Sequence, residues 1–145
     1  MSAPKLADMF QRLVRAEGQS RAARTVEYFG FVDFTLGLLL LLDPWLSVAL
    51  LHIPLLTTQG QNYLRLVGLL VSGLGMLYIV SGRLNAQGFV FASLLDRPMV
   101  PGVMAVLWYE DILPGPLALA FAITDFSGFL WTFYAWRADE RLGSD

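Results

Sequence analysis

The chain has 145 residues, of which 56% are hydrophobic and 15% are charged, and its net charge is -2. An ordinary soluble domain carries more polar surface than this, so most of the surface is expected to face lipid. Such a charge supplies no concentrated basic surface for phosphate, and we expect no nucleic-acid partner. The absence of cysteine excludes disulfides and thiolate zinc sites, and a single histidine excludes bis-histidine haem. We therefore expect no metal site and no cofactor.

The first segment, residues 1–25, is predicted to be an interfacial segment with an amphipathic helix of about three turns that lies on the membrane surface. Its apolar side chains recur at helical spacing, with charged residues on the other face. The apolar set is Leu6, Met9, Phe10, Leu13 and Val14. Pro4 suits a first helical turn and Gly18 suits a helix end. Two interpretations stay open: a docking helix for a partner or anionic lipid, and a plain interfacial anchor.

Four apolar stretches follow, and together they occupy most of the remaining chain. They are expected to span a membrane at about 28–42, 63–82, 98–113 and 117–136. The predicted fold class is therefore all-α: a polytopic membrane protein whose single domain is a four-helix transmembrane bundle with an N-terminal amphipathic interfacial helix. Small residues on the second span, such as Gly68, Ser72 and Gly75, predict close approach to a neighbouring helix.

Two further segments are predicted to lie at the membrane surface. Residues 45–56 are apolar but are interrupted by His52 and Pro54, so we expect an outer-surface helix or a re-entrant segment. Residues 83–98 are expected to form the inner connection between the second and third spans, with the apolar part, 89–95, on the membrane surface.

Basic residues predict the orientation of the chain. Nine of the ten fall before, midway between or after the apolar stretches: Lys5, Arg12, Arg15, Arg21, Arg24, Arg83, Arg97, Arg137 and Arg141. Positive charge resists translocation, so we expect both termini in the cytoplasm and the protein in a bacterial-type cytoplasmic cell membrane. The four from Arg83 onward are interpreted as flanking charges with no further role.

Two acids fall inside predicted spans, where a carboxylate is costly unless it is paired, protonated or wetted. They are Asp33 in the first span and Asp125 near the middle of the fourth, each on a face that also carries glycine. One interpretation is structural, with each acid accepting a hydrogen bond from an interior donor such as Tyr78. The other gives the acids a role with a proton, a ligand or a cation.

A second polar cluster is predicted at the outer side, around Arg65. Arg65 is the one basic residue that this topology places there, and an ion pair would lower the cost of its burial. The candidate partners are Asp43, Glu110 and Asp111. Arg65 could then hold an anionic head group or carboxylate, or it could simply extend to the interface. If the protein has a reaction centre, Glu110 or Asp111 is the expected acid or base.

Several of these residues resemble a known family. The matching positions are Arg65-Leu66-Val67-Gly68, Gly73, Gly75, Tyr78 and Arg83 in the second span, and Asp125 and Trp131 in the fourth. They are similar to the pattern of the DoxX-like and BphX-like small four-span membrane proteins. The resemblance implies an inner-membrane four-helix bundle. Members of that family are linked variously to quinone-coupled oxidation, catabolic operons or assembly of other membrane proteins.

Three functions follow as expectations. The leading one is an accessory or assembly subunit that holds a larger membrane protein partner or forms a homo-oligomer. The first alternative is a carrier or binding protein for a lipophilic or anionic small ligand, with Asp33, Arg65 and Asp125 around a pocket. The second is a quinone-linked membrane oxidoreductase component. Enzyme activity is the least expected, since the chain carries no nucleophile elbow and no phosphate loop.

Overall fold

A computed structural model of the protein describes residues 6–50 and 53–142. These residues form seven helices and no strand: α1 (Leu6–Arg15), α2 (Arg21–Leu42), α3 (Pro44–Leu50), α4 (Thr58–Arg83), α5 (Gln87–Asp96), α6 (Met99–Tyr109) and α7 (Gly115–Leu142). Pro4, Lys5 and His52, which entered the sequence predictions, lie outside the described residues.

Four helical stretches in the described part of the chain are long and apolar enough to cross a membrane. They are α2, α4, the consecutive helices α5 and α6, and α7. The protein is thus an all-α, multi-pass membrane protein, as predicted. The first two spans begin earlier than expected because polar caps start them: the side chains of Ser20 and Thr57 accept hydrogen bonds from the backbone N–H groups of Ala23 and Gly60.

The third span differs most from its prediction. It runs over Gln87–Tyr109, whereas the sequence predicted 98–113. The apolar residues assigned to a surface connection belong to α5, and the helix breaks only at Arg97 and Pro98. Pro98 has no backbone N–H to donate to the preceding turn, so α5 ends there and α6 begins. Arg97 therefore lies inside the span, and its interpretation as a flanking charge was wrong.

The four spans pack as a row, in the order α4, α2, α7 and α6. The α2 helix contacts both α4 and α7, whereas α6 packs along α7. The short α5 contacts α2, α4 and α7 at once. Arg97, directly after α5, contacts a side chain from each of these three helices.

The contact between α2 and α4 is made by backbone against backbone. A Cβ added at Gly30 would lie 2.7 Å from the carbonyl oxygen of Gly75, and one added at Gly37 would lie 2.7 Å from that of Gly68. Real side chains do not tolerate such distances, so only glycine allows the two helices this close. The predicted close approach of the second span is confirmed.

A polar network joins α1 to the bundle, at what we call the α1 end; the opposite end, beside α3, is the α3 end. Glu27 is 7% exposed. Its carboxylate accepts hydrogen bonds from Arg83 Nε and from Gln19 Nε2, both at 2.7 Å. Arg83 Nη1 also donates to the carbonyl oxygen of Leu13 in α1, at 3.4 Å. Arg83 thus ties α1 and α2 to the end of α4.

Candidate functional site

Arg97 is the largest side chain fully enclosed by the described residues, with 0% of its surface exposed. Its Nη1 donates to the hydroxyl oxygen of Thr132 on α7, at 3.3 Å. Its Nε and Nη2 have no hydrogen-bond partner among the described residues. A guanidinium carries five N–H donors and remains protonated, so most of this group's hydrogen-bonding capacity is unused.

Two aromatic rings surround the Arg97 guanidinium. Its Cζ lies 4.0 Å from the ring centroid of Phe29 on α2 and 4.9 Å from that of Tyr78 on α4. Both distances are within the range of cation–π attraction. Phe89 meets the Tyr78 ring edge-on, with the centroids 5.2 Å apart, which holds that ring in place. The rings lower the cost of the buried charge, but a ring face does not replace the in-plane acceptors that the N–H groups of a guanidinium require.

A glycine on α7 makes room for this arrangement. A Cβ added at Gly128 would lie 2.8 Å from Arg97 Nη1 and 2.6 Å from Cζ of Phe29. A larger residue would therefore displace either the guanidinium or the ring that covers it. Asp125, Gly128 and Thr132 share one face of α7, as predicted, and Gly128 and Thr132 are buried.

The two predicted intramembrane acids lie one helical turn away from the Arg97 contacts. Asp33 follows Phe29 by four residues on α2, and Asp125 precedes Gly128 by three residues on α7. Both side chains are half-buried, and both interact electrostatically with Arg97. Among the described residues, neither carboxyl group forms an ion pair or accepts a hydrogen bond. The predicted interior donors, including Tyr78, do not satisfy these acids.

An apolar groove runs beside Arg97, between α2 and α7. It has a volume of about 700 Å³. Its lining consists of Tyr28, Phe29 and Val32 from α2 and of Ser127, Gly128 and Trp131 from α7. Phe29 and Gly128 also contact Arg97, so the groove reaches the layer that covers the guanidinium. The groove next to the buried cation is therefore lined mainly by apolar and aromatic side chains.

The groove opens on the lipid-facing surface, at a pair of stacked rings. Tyr28 and Trp131 lie parallel, with centroids 6.1 Å apart and an angle of 3° between their planes. Each of these residues is 52% exposed. Their position on adjacent spans puts the mouth of the groove on the outer surface of the bundle.

A second cavity, of about 340 Å³, lies between α6 and α7. Met104, Ala105 and Trp108 line it from α6, and Ala118, Leu119 and Ala122 line it from α7. The lining side chains carry no charge, so this cavity offers no ionic partner for a charged group.

The predicted cluster around Arg65 does not assemble. Arg65 is exposed near the start of α4, and its Nη1 donates to Asn62 Oδ1 in the preceding turn, at 3.3 Å. Glu110 and Asp111 are exposed at the end of α6. Within residues 6–50 and 53–142, Arg65 forms no ion pair with these acids or with Asp43. Since Arg65 is exposed, the burial cost that predicted an ion pair is absent.

Sequence reasoning missed Arg97 because a basic residue next to proline was taken as the border of a span. The useful signal was the stretch 87–109, which is long enough to span a membrane and carries only Asp96 and Arg97 as charges. The sequence predictions also gave no role to Glu27, although Glu27 lies close to several arginines in the sequence.

The residues described by the structure contain no group of three histidine, cysteine or carboxylate side chains that could hold a metal ion. No family model, curated protein or solved structure matches the chain. A function has therefore to be argued from the geometry around Arg97.

Proposed function

We propose that this membrane protein binds an amphipathic anion, with the anionic head group at Arg97 and the apolar part in the groove between α2 and α7. This is the first alternative expected from the sequence, a carrier or binding protein for a lipophilic or anionic ligand, with Arg97 in the place expected for Arg65. The observation that carries it is a completely buried guanidinium whose Nε and Nη2 lack partners.

The charge of Arg97 supports an anionic head group. A buried, unpaired cation is costly, and evolution seldom leaves one without a partner unless the partner is a ligand or water. Neither Asp33 nor Asp125 forms an ion pair with it among the described residues. Nε and Nη2 lie side by side on a planar fork, which suits two oxygens of a carboxylate, phosphate or sulfonate. Such a head group would satisfy both unused donors at once.

The groove supports an apolar tail. Its walls are dominated by Tyr28, Phe29, Val32 and Trp131, so alkyl or aromatic groups would gain contact area there without any polar group being left unpaired. Access through the lipid-facing side means that the ligand can partition into the bilayer first. A purely hydrophilic anion would gain nothing from such an entrance.

A quinone, the other ligand class expected from the sequence, has an uncharged head group. The stacked pair Tyr28 and Trp131 could contact a planar ring, but an uncharged quinone would not neutralise Arg97. We therefore expect a short-chain quinone such as decylubiquinone to compete weakly with an anionic amphiphile.

Binding can be tested with decane-1-sulfonate, a permanent anion with an apolar tail. The protein would be placed in phosphatidylcholine nanodiscs and titrated by calorimetry, with empty nanodiscs as the blank. We expect saturable binding. Arg97→Gln should weaken it by about a hundredfold, because the substitution removes the positive charge and the donor pair Nε and Nη2. Arg137→Gln is the matched control, since Arg137 is an exposed arginine paired with Glu140.

The head group is tested with two amphiphiles of equal tail length. Decanol and decyltrimethylammonium should bind no better than they partition into empty nanodiscs. If decanol binds as tightly as decane-1-sulfonate, or if Arg97→Gln leaves the affinity of a folded protein unchanged, the proposed function is wrong.

We also propose the orientation predicted from the basic residues, with both termini in the cytoplasm of a bacterial-type cell. The α1 end carries Arg21, Arg83 and Arg137, as the rule on positive charge requires of the cytoplasmic side. Reporter domains fused near Gln59 and at the C terminus test this proposal. A cytoplasmic reporter near Gln59 would contradict it.

In this orientation, α1 would lie on the cytoplasmic surface of the membrane. Leu6, Phe10 and Val14 form an exposed apolar stripe along it, with Arg12 and Arg15 also exposed. The expected accessory role, and the relationship to DoxX-like proteins, stay predictions. If a larger membrane protein is the partner, this stripe is the surface that it would bind. Substitution of Leu6 and Phe10 by serine would then abolish co-purification of that partner with this protein.

A further inference from the structure

Three ionisable side chains converge from three parts of the chain at the proposed site. Arg97 comes from the break between α5 and α6, Asp33 from α2 and Asp125 from α7. Asp33 lies one helical turn beyond Phe29, whose ring covers the guanidinium, and Asp125 lies one turn before Gly128, which packs against Arg97 Nη1. Neither carboxylate forms an ion pair with Arg97 among the described residues, so all three groups can respond to an incoming charge.

The remaining ionisable groups around this cluster are few. Tyr78 from α4 lies under the guanidinium, and Asp96 from α5 is exposed and interacts electrostatically with Asp125. The stretch 99–108 of α6 contains no ionisable side chain. Asp96 is exposed, whereas Asp33 and Asp125 are half-buried beside a permanently protonated Arg97, so these two carboxylates are the groups expected to take up a proton on binding.

The charge of the cluster conflicts with anion binding unless a proton is taken up. With both carboxylates ionised, Asp33, Asp125 and Arg97 sum to -1, and a bound monoanion would bring the sum to -2 inside a poorly screened interior. Like charges at such separations destabilise one another strongly when water is excluded. Protonation of one carboxylate restores the original charge of the site.

We propose that the site couples the binding of one amphipathic anion at Arg97 to the uptake of one proton by the pair Asp33 and Asp125. The proton comes from water and forms an O–H bond on one carboxylate, with no change in oxidation state. When the anion leaves, the same proton is released. The protein would thereby take up and release an anion together with a proton, as an electroneutral pair. This inference rests on the proposed function, because it requires that an anion binds at Arg97.

Decane-1-sulfonate also tests this coupling, because it stays ionised and cannot itself carry the proton. Calorimetric titrations in two buffers with different ionisation enthalpies give the number of protons taken up per bound anion. We expect about one proton, and a Kd that rises by up to about tenfold per pH unit within the range of about pH 5 to 9. The sign follows because a reaction that takes up protons weakens as the pH rises.

The double variant Asp33→Asn, Asp125→Asn should bind the sulfonate without proton uptake and with an affinity that no longer depends on pH. Asp8→Asn, which removes an exposed carboxylate of α1, is the matched control and should behave as the unmodified protein does. If the double variant does not fold, the pH dependence of the unmodified protein decides the question by itself.

Two failures can be told apart. If the sulfonate binds at Arg97 with no proton uptake at any pH between about 5 and 9, the coupling is wrong and the binding function stands. If proton uptake persists unchanged in a folded double variant, the assignment to Asp33 and Asp125 is wrong. If the sulfonate does not bind at all, the proposed function fails and the coupling fails with it.

Discussion

Arg97 and Arg65 are both arginines inside apolar helical spans, yet they have opposite surroundings. Arg65 lies on an exposed face of α4 and hydrogen-bonds one turn back to Asn62. Arg97 lies at a helix break and is enclosed by side chains from α2, α4 and α7. The difference arises because α4 is at the edge of the row of spans, whereas α5 ends where three helices meet. Composition alone does not separate an exposed arginine from a buried one.

The surroundings of Arg97 and of Arg65 differ most in how much space is left for an added side chain. Gly128→Val is expected to lower the free energy of unfolding by about 3 kcal/mol, because the new side chain overlaps Phe29 and the guanidinium. The matched control is Gly73→Val on the Arg65 helix, where an added Cβ meets nothing within 4 Å. Thermal unfolding in one mild detergent compares the two. Equal melting temperatures would contradict the tight enclosure of Arg97.

Arg83 is a third kind of arginine in this protein: it is mostly buried, and it is paired with the carboxylate of Glu27. Glu27→Gln is expected to destabilise the protein by about 2 kcal/mol, because Arg83 and Gln19 lose a charged acceptor in a buried place. Glu140→Gln removes an exposed carboxylate from Arg137 and should have little effect. Proteolysis between α1 and α2 gives a second measurement, and it should accelerate in Glu27→Gln alone.

The free-energy cost of burying the charge of Arg97 can be measured by replacing this residue with an apolar one. Arg97→Met should leave the melting temperature unchanged or raise it, while it abolishes binding of decane-1-sulfonate. The reason is that the guanidinium is buried with unused donors, and a methionine needs no hydrogen bonds. A large loss of stability would instead indicate that Arg97 is mainly a structural residue held by Phe29 and Tyr78.

The smallest effect is expected at Arg65. Arg65→Met should change neither the melting temperature nor the binding of decane-1-sulfonate, since the side chain is exposed and has one weak neighbouring partner. Calorimetry on this variant completes the comparison with Arg97→Met. If Arg65→Met loses binding and Arg97→Met keeps it, the functional site belongs at the α3 end and not at Arg97.

Much of the fold could be predicted because its causes are local. The helical spacing of Leu6, Phe10 and Val14 predicts α1, and the glycines of the second span predict its close contact with another helix. The third span was placed too late because Arg97 was given the usual meaning of a charge next to an apolar stretch. Pro98 ended one helix but did not end the span, and a sequence pattern does not distinguish these two events.

The candidate site was predictable only in part, for the same reason. Asp33 and Asp125 were recognised because a carboxylate in an apolar stretch is unusual at any position. Their meeting with Arg97 could not be recognised, since the three residues come from different helices. The outer cluster of Arg65, Glu110 and Asp111 was assembled from the predicted topology alone, and the structure leaves its members exposed and apart.

By itself, the sequence determined that this is a helical membrane protein with four apolar spans, because hydropathy and helical period depend on neighbours along the chain. Only the tertiary structure decided which charge is buried. That choice depends on the close packing that Gly30 and Gly75 allow, on the break at Pro98 and on the space at Gly128. These features lie on different helices, and their effect on Arg97 exists only once the helices are packed together.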